Sequence, residues 1–139
     1  MPFDGKLPSM EKAEGNAKLR VLVVEDATEV AARLADLLAE LDGVEVIGPV
    51  LNGTDAIRQF HAREPHAVVL DLQLPGRSGF EVLAAIRQSG RPCVVLVLTS
   101  HDSIEFRDRC RQAGADYFLR KSSEFERVQA IVRDLAARG

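Results

Sequence analysis

Two patterns of apolar residues alternate along the chain. Short aliphatic runs at Leu19–Val24, Val44–Val50, Ala67–Leu70 and Cys93–Thr99, with a weaker one at Tyr117–Arg120, are separated by segments whose apolar positions recur every three or four residues. Runs of four to eight β-branched and aliphatic residues closed by turn signals predict strands covered on both faces, while the 3.6-residue recurrence predicts amphipathic helices. Val30, Leu34, Leu37, Leu38 and Leu41 predict a first helix over Ala27–Leu41, stopped by Asp42-Gly43. Asn52-Gly53-Thr54-Asp55 opens a second, carrying Ala56, Ile57 and Phe60 and ending before Pro65. Phe80, Val82, Leu83 and Ile86 mark a third, closed by Ser89-Gly90. The fourth, Ser103–Gln112, has only Ile104, Phe106 and Cys110 to bury and is predicted to be the least firmly held. The last begins at Ser123, which has capping-box spacing to Glu126, and buries Phe125, Val128, Ile131, Val132 and Leu135.

Strict alternation of strands and helices predicts a parallel sheet with right-handed crossovers. Pro49 suggests that the second strand lies at an edge or terminates there, and the fourth, the most apolar, is expected near the centre. Met1–Lys18, with Pro2, Gly5, Pro8 and Gly15, is too polar to fold alone and is expected to be a tail, leaving residues 19–139 as one domain.

Composition narrows the function. The chain has 139 residues and a formal net charge of -3, against a main business with nucleic acid, which needs a basic surface. No apolar run approaches the ~18 residues of a membrane span and no signal-peptide core is present, so the expected location is cytoplasmic. Cys93 and Cys110 lack metal spacing and read as reduced packing thiols; His61, His66 and His101 read as surface residues.

The chemistry gathers at the strand ends. A parallel sheet places all strand carboxyl ends on one rim, where open α/β sheets hold their ligands. That rim receives Glu25 and Asp26 after the first strand, Asp71 after the third, Thr99 after the fourth and Lys121 after the fifth. Singly, each has a plain reading: Asp71 as a turn residue, Asp26 as an N-cap, Thr99 as a strand residue, Lys121 as a solvated end. Their convergence is hard to produce by accident. Three crowded carboxylates repel unless a cation sits among them, and an oxygen-only acidic site favours Mg²⁺. Aspartate is also a nucleophile towards phosphorus, with the lysine and threonine placed to contact phosphoryl oxygens.

Glu25-Asp26, the Asp71-Leu-Gln-Leu-Pro-Gly run, Thr99-Ser100 and the Gly114-Ala-Asp-Tyr-Phe-Leu-Arg-Lys121 segment together resemble the receiver domain of two-component response regulators, over about Leu19–Ala137. The resemblance implies a flavodoxin-like (βα)5 three-layer sandwich with five parallel strands in order 2-1-3-4-5. It implies that Asp71 accepts a phosphoryl group from a sensor histidine kinase or phosphotransfer protein. Asp26, Asp71 and the backbone carbonyl of Gln73 would bind Mg²⁺ directly, with Glu25 acting through water. Thr99 and Phe118 would be the switch pair, Phe118 equally readable as plain core, and Gln73 with His101 would tune the lifetime of the acyl phosphate. The fourth helix, fifth strand and last helix would form the partner surface, with a homodimer on phosphorylation as one use. Arg107, Arg109, Arg111, Arg120 and Arg127 would serve that surface or simply be solvated. Where many receivers carry a cis proline after the lysine, this chain has Ser122, so a trans Lys121–Ser122 bond is expected.

The chain is read either as a single-domain regulator or as a receiver whose effector lies elsewhere, with no direct nucleic-acid contact by this domain. Two other classes are disfavoured. A nucleotide- or flavin-binding module lacks a glycine-rich phosphate loop after the first strand. An aspartate-nucleophile phosphatase would carry a second aspartate two residues after the first, where Gln73 stands. A phosphorylatable switch rather than a turnover enzyme is the expectation.

Overall fold

The computed structural model describes residues 17–101, 103–121 and 123–138. Five strands, β1 (Leu19–Val24), β2 (Val44–Val50), β3 (Ala67–Asp71), β4 (Val94–Thr99) and β5 (Tyr117–Arg120), alternate with five helices, α1 (Thr28–Ala39), α2 (Gly53–Arg63), α3 (Gly79–Gln88), α4 (Ile104–Gln112) and α5 (Phe125–Arg138). All pairings are parallel and the strand order is β2-β1-β3-β4-β5. This is the flavodoxin-like order expected, with β2 at the edge as Pro49 indicated. β3 is the middle strand and β4 lies beside it, so the most apolar strand is interior as expected, and both are covered on both faces.

The period-2 alternation of the strands divides the core into two layers. Leu19, Val21, Val23, Val69, Leu96, Leu98 and Leu119 face α1 and α5, where they meet Leu34, Leu38, Val128 and Val132. Leu22, Val24, Val68, Leu70, Val95 and Val97 face the other way, onto Phe60, Val82, Leu83, Ile86 and Cys110. Side-chain caps start the helices on that second side: Asn52, Ser78 and Ser103 accept from the backbone N–H groups of Asp55, Glu81 and Phe106.

Several local expectations change. α5 begins at Phe125, not Ser123. Glu124 makes the junction instead, its carboxylate accepting the Arg120 N–H and its carbonyl the N–H groups of Arg127 and Val128. Ile104 is 75% exposed, so α4 buries Cys110 alone and leaves Phe106 half-covered. His66 is buried, its Nδ1 accepting the Arg20 N–H across the bottom of the sheet; the partner is 46 residues away and invisible to local pattern. Both cysteines are free and buried, as expected, and burial pushes the Cys93 thiol up to about 12. The tail up to residue 16 and the Lys121–Ser122 bond lie outside the described residues.

Candidate functional site

Asp71 ends β3 at the middle of the rim, 2% exposed. The loop that follows is fixed by close backbone approach. A Cβ on Gly79 would stand 2.3 Å from Leu72 Cα, and one on Gly53 would stand 2.0 Å from the Arg77 carbonyl oxygen, so neither position tolerates a side chain. Gly76, at φ +80°, makes the turn that Pro75 introduces. Held this way, the loop turns the Gln73 N–H back onto Asp71 Oδ1 at 3.1 Å.

The other groups arrive from neighbouring strands. Glu25, just past β1, is fully buried and its Oε2 accepts the Ala27 N–H at 2.9 Å. Lys121, just past β5, spans both acids: its Nζ lies 3.0 Å from Glu25 Oε2 and 3.1 Å from Asp71 Oδ2. Asp26 is exposed, yet a carboxylate oxygen from each of Glu25, Asp26 and Asp71 falls within a common 4.8 Å. Thr99 is fully buried at the end of β4, and its Oγ1 accepts the His101 N–H at 3.1 Å. Glu25, Asp26, Asp71 and Lys121 therefore meet, and Thr99 ends the strand beside that of Asp71. Gln73 and His101 meet as well, the Gln73 amide nitrogen lying 2.7 Å from His101 Nε2; an amide nitrogen can only donate, so the ring nitrogen accepts.

Electrostatics leave the site short of positive charge. Among the described residues, Lys121 is the one ammonium paired with the cluster, and it meets two of the three carboxylates, Glu25 and Asp71. Burial pulls the Lys121 pKa down, but its hydrogen bonds with Glu25 and Asp71 outweigh that and the net shift is upward. Burial pushes Glu25 up; the Ala27 N–H and Lys121 offset only part of this, and the Asp71 charge adds to it. Glu25 Oε1 is buried with no hydrogen-bond partner. An orphaned carboxylate oxygen beside two further acids, with oxygen donors only, fits a hard divalent cation such as Mg²⁺.

Phe118, on β5, is half-buried and stands edge-on to Phe106 at 6.2 Å between centroids, with Arg107 over its other side at 4.5 Å. It is thus neither free surface nor deep core. The arginines of α4 and its surroundings do local work: Arg109 lies over Phe80 at 4.0 Å, Arg111 pairs with Asp108, and Arg127 pairs with Glu124 at 2.8 Å.

The family model for the response regulator receiver domain matches residues 21–133. The chain belongs to that family. Among curated relatives, the regulatory protein LuxO of Vibrio cholerae is 34% identical over 81% of this chain and 24% of its own length. The response regulator GacA of Pseudomonas protegens is 32% identical over 81% of this chain and 54% of its own length. The chain thus spans about half, or less, of these relatives. Among solved structures, a two-component response regulator of the LuxR family from Aurantimonas superposes with a TM-score of 0.78 at 27% identity, covering 87% of this chain and 86% of that one. No described helix of this receiver domain is long and apolar enough to cross a membrane.

Sequence reasoning gave Phe106 no role beyond burial. The signal was present: a lone aromatic ring in a helix that is otherwise almost wholly polar.

Proposed function

We propose that residues 19–139 form a phosphorylatable switch in which Asp71 accepts a phosphoryl group from a phosphohistidine of a sensor kinase or phosphotransfer protein, on the cytoplasmic side of the membrane. The observation that carries this reading is the buried Asp71 carboxylate held between the Lys121 ammonium and the Gln73 N–H, beside the orphaned Glu25 oxygen. In the transfer, an Asp71 oxygen bonds to phosphorus as the phosphorus–nitrogen bond breaks, and that electron pair returns to the donor imidazole. Lys121 pairs with a phosphoryl oxygen, and the Thr99 hydroxyl donates a hydrogen bond to another. Glu25, Asp26, Asp71 and the Gln73 carbonyl are the groups that would hold Mg²⁺, which supplies neutralising charge for the transferred group.

The Thr99 hydroxyl accepts the His101 N–H and can still donate, so engaging a phosphoryl group draws Thr99 and the β4–α4 loop inward together. Phe118 then repacks, and because its ring has no hydroxyl the signal travels by packing alone. The output surface is the α4–β5–α5 face, offered to an effector on this chain or a separate one, or to a second copy. Gln73, in place of a second aspartate, supports a lasting acyl phosphate over rapid turnover.

The test is intact mass after incubation with Mg²⁺ and acetyl phosphate. One phosphoryl group is expected on the wild type and none on Asp71→Asn or in the presence of a chelator. Steady hydrolysis of simple phosphate esters without a labelled intermediate would overturn the switch in favour of a phosphatase.

A further inference from the structure

A ring cluster joins the site to α4. The Gln73 and His101 backbone N–H groups are tied to Asp71 Oδ1 and Thr99 Oγ1, and their side chains are tied to each other at 2.7 Å, so the pair bridges the loops that follow β3 and β4. The His101 ring in turn lies 5.1 Å from Phe106 of α4. Phe106 is edge-on to both Phe80, at 5.8 Å, and Phe118, at 6.2 Å. Arg109 and Arg107 lie over those two rings. Among the described residues, Phe106 is thus the one ring that meets the site bridge, the third helix and the switch strand together.

We propose that Phe106 is a positioning residue for loss of the phosphoryl group. It holds the His101 imidazole against Gln73, so that the bridge screens the acyl phosphate from water and its lifetime depends on how α4 is seated. The inference rests on phosphorylation at Asp71. In the step concerned, a water oxygen bonds to phosphorus and the bond from phosphorus to the Asp71 oxygen breaks. Its electron pair returns to the carboxylate, inorganic phosphate leaves and one proton passes to solvent. His101 is exposed and its ring is held by Gln73 and Phe106, so losing the Phe106 ring frees the imidazole to swing away. A partner that grips α4 and keeps Phe106 in place would lengthen the signal, and one that draws α4 outward would shorten it.

The experiment compares acyl-phosphate half-lives after removal of acetyl phosphate, for wild type, Phe106→Leu, Phe106→Tyr, His101→Ala and the Phe106→Leu/His101→Ala double variant, each checked for folding by thermal melt. A ring–ring contact of this kind predicts a half-life shortened about two- to ten-fold in Phe106→Leu, restored in Phe106→Tyr. Adding Phe106→Leu to His101→Ala should change nothing further, because the ring acts only through the imidazole. Without any phosphorylation, the Gln73 side-chain amide resonances of Phe106→Leu should shift towards those of His101→Ala. A folded Phe106→Leu with wild-type half-life and wild-type Gln73 resonances would overturn the proposal, as would additive losses in the double variant. A wild type that takes up no phosphoryl group would instead overturn the Asp71 reading, and this inference with it.

Discussion

The two helices beside β5 are held in opposite ways. α5 buries Phe125, Val128, Val132, Leu135 and Ala136 along 14 residues, and Gln129 adds a hydrogen bond to the Leu37 carbonyl of α1. α4 buries Cys110 alone along nine, leaning otherwise on the edges of aromatic rings and on arginines that lie over them. Many aliphatic contacts tie a helix to global stability, whereas a few ring contacts let it shift without unfolding the rest. Under the proposed switch, the difference would make α5 the scaffold and α4 the part that the rim chemistry moves.

Breaking the scaffold should have the largest effect. Leu135→Ala removes a nearly buried side chain from the α5 layer and should cost about 2–5 kcal/mol, read by chemical denaturation. Next comes the strand edge beneath α4. Arg87 donates to the carbonyls of Cys93 and Gly114 and pairs with Asp116 at 2.9 Å, while Asp116 also accepts the Val95 N–H. Arg87→Ala leaves that buried carboxylate without its cation and should cost about 3 kcal/mol, with Arg87→Lys recovering only part because it cannot fork between the carbonyls. If Arg87→Ala proved neutral, the edge would be as loosely held as α4 and the contrast would dissolve.

A smaller, pH-dependent effect separates the two helices at their starts. The Glu124 carboxylate accepts the Arg120 N–H and pairs with Arg127, which holds its pKa below the ordinary 4.5. A group depressed on folding contributes stability above its unfolded value and loses it as pH falls through the folded one. Glu124→Gln should therefore lower Tm at neutral pH by the equivalent of less than about 1 kcal/mol, with the deficit vanishing in acid. A deficit that persists unchanged at low pH would point to packing instead. Least of all, Ile104→Ala on the exposed side of α4 should stay within about 0.5 kcal/mol.

Much of this molecule was legible in the sequence because its signals are local. Aliphatic runs gave the strands, helical spacing gave the helices, and residues at strand ends necessarily share a rim in a parallel sheet; the convergence of Glu25, Asp71, Thr99 and Lys121 followed from topology alone. What escaped notice depends on partners far away in sequence. His66 is buried because Arg20 offers it a backbone N–H, and Arg87 and Asp116 meet across 29 residues. Ile104 was expected inside because it is apolar, but it occupies the outer face of its helix. Capping-box spacing at Ser123 lost to a carboxylate one residue on.

Hydrogen exchange of α4 and α5 amides, with Mg²⁺ and with or without sustained phosphorylation by acetyl phosphate, tests the central claim most directly. The account predicts lower protection in α4 than in α5 at rest, and a change on phosphorylation confined to α4, the β4–α4 loop and β5. Equal protection of the two helices at rest, or a phosphorylation response centred on α5 with α4 unmoved, would contradict it.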